Sequence, residues 1–172
     1  MDCVRIRPLR PEERPQLAEF LYLAVFVPQG SEPPPRAIVK EPGVAVYIDG
    51  FGTRPGDDAL CAERDGALLG AVWVRNIRGY GYLDGGTPEF AISVLPGARG
   101  RGIGFRLMRE MLERLRTRGV KRASLAVQKE NWPARSLYRK LGFVAAGETA
   151  EELILCIWPG APLQDSDYQQ NQ

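Results

Sequence analysis

Residues 92–104, reading ISVLPGARGRGIG, constrain the fold of this chain more than any other segment. The mostly apolar run at 90–95 has the character of a strand from a sheet centre. It enters a glycine-rich turn, and the turn opens directly into a helix. Ile103, Leu107, Met108, Met111, Leu112 and Leu115 fall on one helical stripe, and Gly119 stops it. Residues 124–127 then read as another strand. A strand, a crossover helix and a further strand make a parallel unit whose neighbouring segments lie side by side. The chain is therefore expected to be a mixed α/β domain.

The same turn has chemistry. Glycine lets a backbone approach a ligand closely, and the first N–H groups of a helix point outward without partners. With the positive end of the helix dipole they form an anion site suited to phosphate. A dinucleotide fingerprint fails, because counting GxGxxG from Gly100 ends on Phe105 and from Gly102 on Leu107. A P-loop fails too, since no Gly-Lys-Ser/Thr follows. What remains is Arg99-x-x-Gly102-x-Gly104, which serves either phosphate binding or tight helix packing. Nine cationic residues lie between Arg99 and Arg122, against Glu110 and Glu113. They fit an anionic ligand or a solvated helix face, with Glu110 and Arg114 spaced for an i,i+4 pair.

Composition removes whole classes of function. The chain has no histidine, so Ser-His-Asp triads, Cys-His pairs, His-ligated zinc and His bases are excluded. Proton transfer falls to Glu, Asp, Tyr, Cys, Lys or water. Cys3, Cys61 and Cys156 are widely spaced and form no CxxC, so neither a disulfide framework nor a metal site is expected. Cys61 and Cys156 sit in apolar runs and read as core residues. A net charge of +2 gives no case for nucleic acid. The longest apolar run, 20–27, is too short to span a bilayer and has the wrong flanks for a signal peptide, so the expected compartment is the cytoplasm. A length of 172 residues suits one domain, expected over 1–160 and followed by a polar, disordered tail at 161–172.

The remaining elements follow from periodicity and turn residues. Residues 4–9 read as a short strand and 11–26 as a helix carrying Leu17, Phe20 and Leu21. Residues 36–48 read as two short helical turns broken at Pro42-Gly43. Strands at 59–64 and 68–75 flank Asp65-Gly66, a hairpin signal. The glycine- and tyrosine-rich stretch 79–86 looks mobile. A helix at 133–141 begins with proline in its first turn and ends at Gly142, and strands at 143–145 and 153–158 pair across the turn between them.

A second constellation lies about thirty residues beyond the glycine turn: Asn131-x-x-Ala134-x-x-x-Tyr138-x-x-x-Gly142-Phe143. Ala134, Tyr138 and Gly142 recur every four residues and share one helix face. Alone, the segment reads as a core tyrosine ahead of a helix-ending glycine. Together with Ile92-Ser93-Val94-Leu95-Pro96 and Arg99-Gly100-Arg101-Gly102-Ile103-Gly104, the chain resembles the GCN5-related N-acetyltransferase (GNAT) superfamily. The resemblance implies that family's acyl-CoA N-acyltransferase fold: a mixed, mostly antiparallel sheet with a splayed central parallel pair, flanked by helices.

The resemblance also implies a function. Acetyl-CoA is the cosubstrate, with no metal. Its pyrophosphate lies on Arg99, Gly100, Arg101, Gly102, Ile103, Gly104 and Phe105, and its pantetheine arm pairs with Ile92, Ser93 and Val94 between strands 89–95 and 124–128. A backbone N–H near Val94 polarises the thioester carbonyl, and Asn131 touches the cosubstrate or holds its turn. Tyr138 protonates the departing thiolate. Relatives that acetylate ribosomal-protein N-termini carry a Glu where this chain has Ala126, so Glu89 is the expected base, with a water relay as the other route. The acceptor is an unidentified amine of a small molecule or peptide, and its walls are sought among Tyr22, Phe26, residues 47–51, Trp73, Arg75 and residues 79–83. The resemblance implies no nucleic-acid or membrane partner, and family habit suggests a homodimer. The alternative is an inactive acyl-CoA-binding module acting through protein contacts.

Overall fold

The computed structural model describes residues 3–161; the expected tail lies, apart from Ala161, outside them. Seven strands form one sheet in the order β1-β2-β3-β4-β5-β7-β6. They are β1 (Arg5–Pro8), β2 (Asp58–Arg64), β3 (Ala67–Arg75), β4 (Glu89–Val94), β5 (Ala123–Gln128), β6 (Val144–Glu148) and β7 (Glu152–Ile157). The helices are α1 (Leu17–Ala24), α2 (Pro42–Ala45), α3 (Ile103–Thr117) and α4 (Trp132–Leu141). Every neighbouring pair is antiparallel except β4 with β5. This is the expected mixed sheet with one central parallel pair.

Local chemistry sets most boundaries. Asp65 and Gly66 take left-handed φ values of 52° and 79° in the β2–β3 hairpin, as its tight turn requires. The helix expected over 11–26 divides: Pro15 has no N–H, so Pro11–Gln16 forms 3-10 turns and the α-helix begins only at Leu17. Residues 36–48 do form two short pieces, a 3-10 helix at Arg36–Lys40 and α2.

The sheet separates two cores. On one face α3 and α4 bury Leu107, Met108, Met111 and Tyr138 against Val72 and Phe90. On the other, Leu17, Phe20 and Leu21 of α1 and Val44 of α2 pack on Cys61 and Trp73. Strand alternation assigns Phe90, Ile92 and Val94 to the first face, and Glu89, Ala91 and Ser93 to the second. Cys61 and Cys156 are buried as expected, and Cys3 is exposed.

The arginines of α3 are largely structural. Arg114 forks onto Asp58 of β2 at 2.8 and 2.9 Å, and Arg118 reaches the same carboxylate at 3.1 Å. The expected Glu110–Arg114 pair gives way to this one, because Asp58 offers both oxygens to one guanidinium. Arg116 pairs with Glu113, and Arg106 donates to the Val4 carbonyl at 2.8 Å.

Candidate active site

The site begins where β4 and β5 part. Glu89 and Ser124 are the single registered pair between these strands, although β4 pairs with β3, and β5 with β7, along their lengths. The Leu95 N–H donates to the Leu69 carbonyl at 2.8 Å, on the β3 side. Alternate residues of an antiparallel strand direct their N–H and C=O to opposite sides, so those of Phe90, Ile92 and Val94 face β5. The Ser124 N–H reaching the Pro88 carbonyl at 2.9 Å has the same parity. Beyond this pivot the strands diverge, and the backbone groups of Ile92 and the N–H of Val94 line the resulting slot with no strand partner among the described residues. From Phe90 to Val94 the slot edge runs about 13 Å.

At the open end the chain turns through residues 95–102 into α3. Gly100 and Gly102 adopt left-handed φ values of 73° and 75°, and the space around both Cα atoms is open. The first helical hydrogen bond is Arg106 N–H to Gly102 C=O, at 3.1 Å. The N–H groups of Ile103, Gly104 and Phe105 therefore have no intrahelical acceptor and point out of the helix start. Gly104 differs from the other two: a Cβ there would rest in ordinary van der Waals contact with Leu137 of α4 at 3.6 Å, so packing alone does not require glycine at this position. Arg99 is exposed and donates to the Val94 carbonyl at 3.0 Å; Arg101 is exposed.

Ser93 stands apart from the other expected cosubstrate contacts. Its backbone pairs with Ala71 of β3, and its hydroxyl donates to the Phe20 carbonyl at 2.6 Å, fastening α1 to the sheet. Asn131 caps α4, its side chain accepting from the Ala134 N–H at 3.3 Å. That is the turn-holding half of its expected role.

Tyr138 and Glu89 lie on opposite faces of the sheet, with the slot between them. The Tyr138 ring lies 5.5 Å from Phe143, whose ring lies 5.8 Å from Phe90 beside the pivot. Its hydroxyl makes no hydrogen bond to another described residue. Among those residues every fully buried side-chain polar atom has a partner, so the Tyr138 hydroxyl must touch accessible space. Burial pushes its pKa up to about 12 and keeps it protonated at neutral pH.

Glu89 is 1% exposed. It accepts from Gly79 N–H and Gly81 N–H at 2.7 Å each and from the Tyr47 hydroxyl at 3.1 Å. Burial raises its pKa, while these three donors pull it down. Burial and the neighbouring Glu89 charge raise that of Tyr47. The segment 79–82, which looked mobile by composition, is thereby fixed to the sheet.

Of the expected acceptor walls, Tyr47, Trp73, Arg75 and Gly81 are buried, Tyr22 and Phe26 are half-buried, and Tyr80 is exposed. Trp73 is fully buried, its indole donating to the Tyr47 carbonyl at 3.0 Å. Arg75 is fully buried against Asp57 and donates to the carbonyls of Val46 and Asp49 at 3.0 and 2.7 Å. It stands opposite Glu89 in the β3–β4 register, yet its charge is matched internally. Sequence reasoning overlooked Asp57, whose only signal was an acidic residue in a turn-rich loop. The Tyr22 hydroxyl is held by the Pro34 carbonyl at 2.7 Å. Ala91, Ala126 and Tyr82 keep partial exposure near the pivot.

Known proteins share this architecture and sequence. A structure of ribosomal-protein-alanine N-acetyltransferase from Brucella melitensis superposes with a TM-score of 0.66 at 22% identity, covering 90% of this chain and 99% of its own. A Salmonella typhimurium structure described with its cofactor acetyl-CoA gives 0.66 at 17% identity, covering 91% and 94%. At such identities the likeness is one of fold. Mycothiol acetyltransferase of Beutenbergia cavernae is 41% identical over 90 residues, which are 52% of this chain and 28% of that protein. The enzyme of the same name from Cellulomonas flavigena is 39% identical over 89 residues, 49% of this chain and 26% of its own. The chain thus spans little more than a quarter of the length of these curated relatives. The profile of the acetyltransferase (GNAT) family matches residues 21–143, from α1 through the slot to Phe143. With the splayed strand pair and the glycine turn both inside that match, the chain belongs to the acetyltransferase (GNAT) family.

Proposed function

We propose that this protein transfers an acetyl group from acetyl-CoA to an amine. The observation that carries the reading is the slot: unpartnered backbone groups on β4 lead directly into a turn whose N–H groups point outward. Acetyl-CoA supplies a thioester carbonyl that a neutral amine attacks, with CoA leaving as the thiol. The N–H groups of residues 103–105 and the dipole of α3 bind the pyrophosphate. Ile92 presents its N–H and C=O, and Val94 its N–H, to the pantetheine amides as a neighbouring strand would. The slot runs back toward the pivot and brings the thioester near Phe90 and Ile92. A backbone N–H facing the slot there stabilises the developing oxyanion, an effect worth about 3 kcal/mol per donor.

Tyr138 protonates the leaving thiolate. Its hydroxyl is protonated, makes no hydrogen bond to another described residue and lies on the α4 side of the slot. The amine arrives from the opposite face, past α1 and residues 79–82. We assign its deprotonation to solvent water rather than to Glu89, whose carboxylate is buried and already accepts three hydrogen bonds. The mycothiol acetyltransferase relatives make an amine of a thiol-bearing small molecule one acceptor class to include.

The test is acetyl-CoA turnover against amino acids, polyamines, aminoglycosides and peptides with free-thiol detection, and against thiol-bearing amines with mass detection of the acetylated product, because their own thiols mask the released CoA. Thiol release that depends on an amine, with the acetylated amine identified by mass, is the expected result. CoA binding without turnover for any amine would favour the inactive acyl-CoA-binding module instead.

A further inference from the structure

Both members of the pivot pair turn their side chains onto the same stretch of chain. Glu89 Oε2 accepts from Gly79 N–H, and Oε1 accepts from Gly81 N–H and the Tyr47 hydroxyl. Ser124 Oγ donates to the Gly81 carbonyl at 2.7 Å. Gly81 is thus held through its N–H by β4 and through its C=O by β5. Tyr47 Oη accepts from the Tyr80 N–H at 2.9 Å, and the two rings stack at 6.3 Å. Glu89, Ser124 and Tyr47 are 1%, 0% and 8% exposed.

The glycines of this stretch are required by contact rather than by φ. A Cβ on Gly81 would stand 2.6 Å from the Leu125 carbonyl carbon and 2.8 Å from the Ala126 nitrogen. One on Gly79 would stand 2.4 Å from Tyr47 Oη and 2.8 Å from Glu89 Oε1. The backbone of residues 79–82 is pressed flat on the sheet at the one place where β4 and β5 still touch. A carboxylate with both oxygens engaged and no exposed edge cannot meet an amine. It can hold two backbone N–H groups that have no other acceptor in so tight a space.

We propose that Glu89 is a positioning residue: with Ser124 and Tyr47 it clamps residues 79–82 across the β4–β5 pivot, fixing the closed end of the slot and the wall an acceptor meets. The acceptor half of this statement rests on the acetyl-transfer reading; the clamp itself does not. Gln in place of Glu89 would turn an NH2 group toward one of the donating N–H groups, so even this near-isosteric change should open the clamp.

Amide hydrogen exchange on Glu89→Gln and Ser124→Ala, with calorimetric CoA titration and pH–rate profiles, separates the two halves. In wild type the Gly79 and Gly81 amides should exchange as slowly as those of β4. In each variant they should exchange at least tenfold faster, while the amides of α3 and the CoA affinity stay unchanged. Ser124→Ala keeps the carboxylate and guards against a Glu89 variant that fails to fold. Unchanged exchange at Gly79 and Gly81 in a folded Ser124→Ala protein overturns the clamp, whether or not any amine proves to be a substrate. With an active amine from the turnover panel, Glu89→Gln should raise the acceptor KM and leave the shape of the kcat/KM pH profile as in wild type. Loss of the wild-type plateau, leaving a log-linear rise with pH, would make Glu89 a base and overturn its positioning role. Absence of turnover in wild type would remove the acetyl-transfer reading and leave the exchange result to decide the clamp.

Discussion

Adding one methyl group at Gly81 tests the packing at the pivot. The new Cβ would lie 2.6–2.9 Å from three backbone atoms of Leu125 and Ala126, none of which can rotate away. Either β5 shifts or residues 79–82 lift. Overpacking of this kind costs about 1–3 kcal/mol. Lifting also breaks the Gly81 N–H bond to Glu89, and a hydrogen bond to a charged group contributes about 1.5–3 kcal/mol. The combined expectation is about 3–5 kcal/mol, and with a urea m-value near 2 kcal/mol/M the midpoint should fall by roughly 2 M. Gly85→Ala is the control, because a Cβ at Gly85 meets nothing within 4 Å and its φ is not left-handed. Its stability should change by less than about 0.5 kcal/mol, a midpoint shift under about 0.25 M. Urea unfolding of both variants by circular dichroism gives the comparison. Equal midpoints for Gly81→Ala and Gly85→Ala would refute the close approach and the clamp built on it.

Further expectations follow from other residues. Tyr138→Phe should lower kcat by about 100- to 10,000-fold under chemistry-limited conditions, with CoA affinity by calorimetry nearly unchanged because the ring still packs on Phe143. Asp57→Ala leaves the fully buried Arg75 guanidinium without its carboxylate, and chemical denaturation should register a loss of about 3–5 kcal/mol. Arg7 holds Glu13 down to about 2 from an ordinary 4.5. A depressed carboxyl stabilises the fold above its unfolded pKa, and that contribution is lost as pH falls from about 4.5 towards 2. In Glu13→Gln, the decline of the urea midpoint over that interval should be shallower than in wild type.

What could be read from the sequence was local. The α3 stripe, Gly119, the Asp65-Gly66 hairpin and the glycine turn each depend on residues a few positions apart, and each formed as expected. The central parallel pair followed from the strand–helix–strand order. The expected first helix overextends into the polar stretch 11–16, where only Pro15 marks a break; its missing N–H delays the α-helix to Leu17, where the apolar positions begin. Residues 79–86 looked mobile because glycine, tyrosine and aspartate show no period. The order of residues 79–81 comes from nearby Glu89 together with Tyr47 and Ser124, which lie more than thirty residues away in sequence and become neighbours only in the fold. The same holds for Arg75, readable as a selector of charge until Asp57 is placed beside it. Glu89 was legible as an important carboxylate, but its three donors come from two separate loops, and no spacing reveals them.

The central claim is that the slot and the outward N–H groups of the α3 start bind CoA. Calorimetric titration of CoA into wild type and Gly102→Glu tests it most directly. Gly102 has open space for a side chain, and its left-handed φ adds only about 1–2 kcal/mol of strain, so the variant should fold. Its carboxylate would stand at the anion site. Wild type should bind CoA with one site per chain, and folded Gly102→Glu should lose that binding at least tenfold. Equal affinity in the two proteins, or no binding by wild type, would contradict the account.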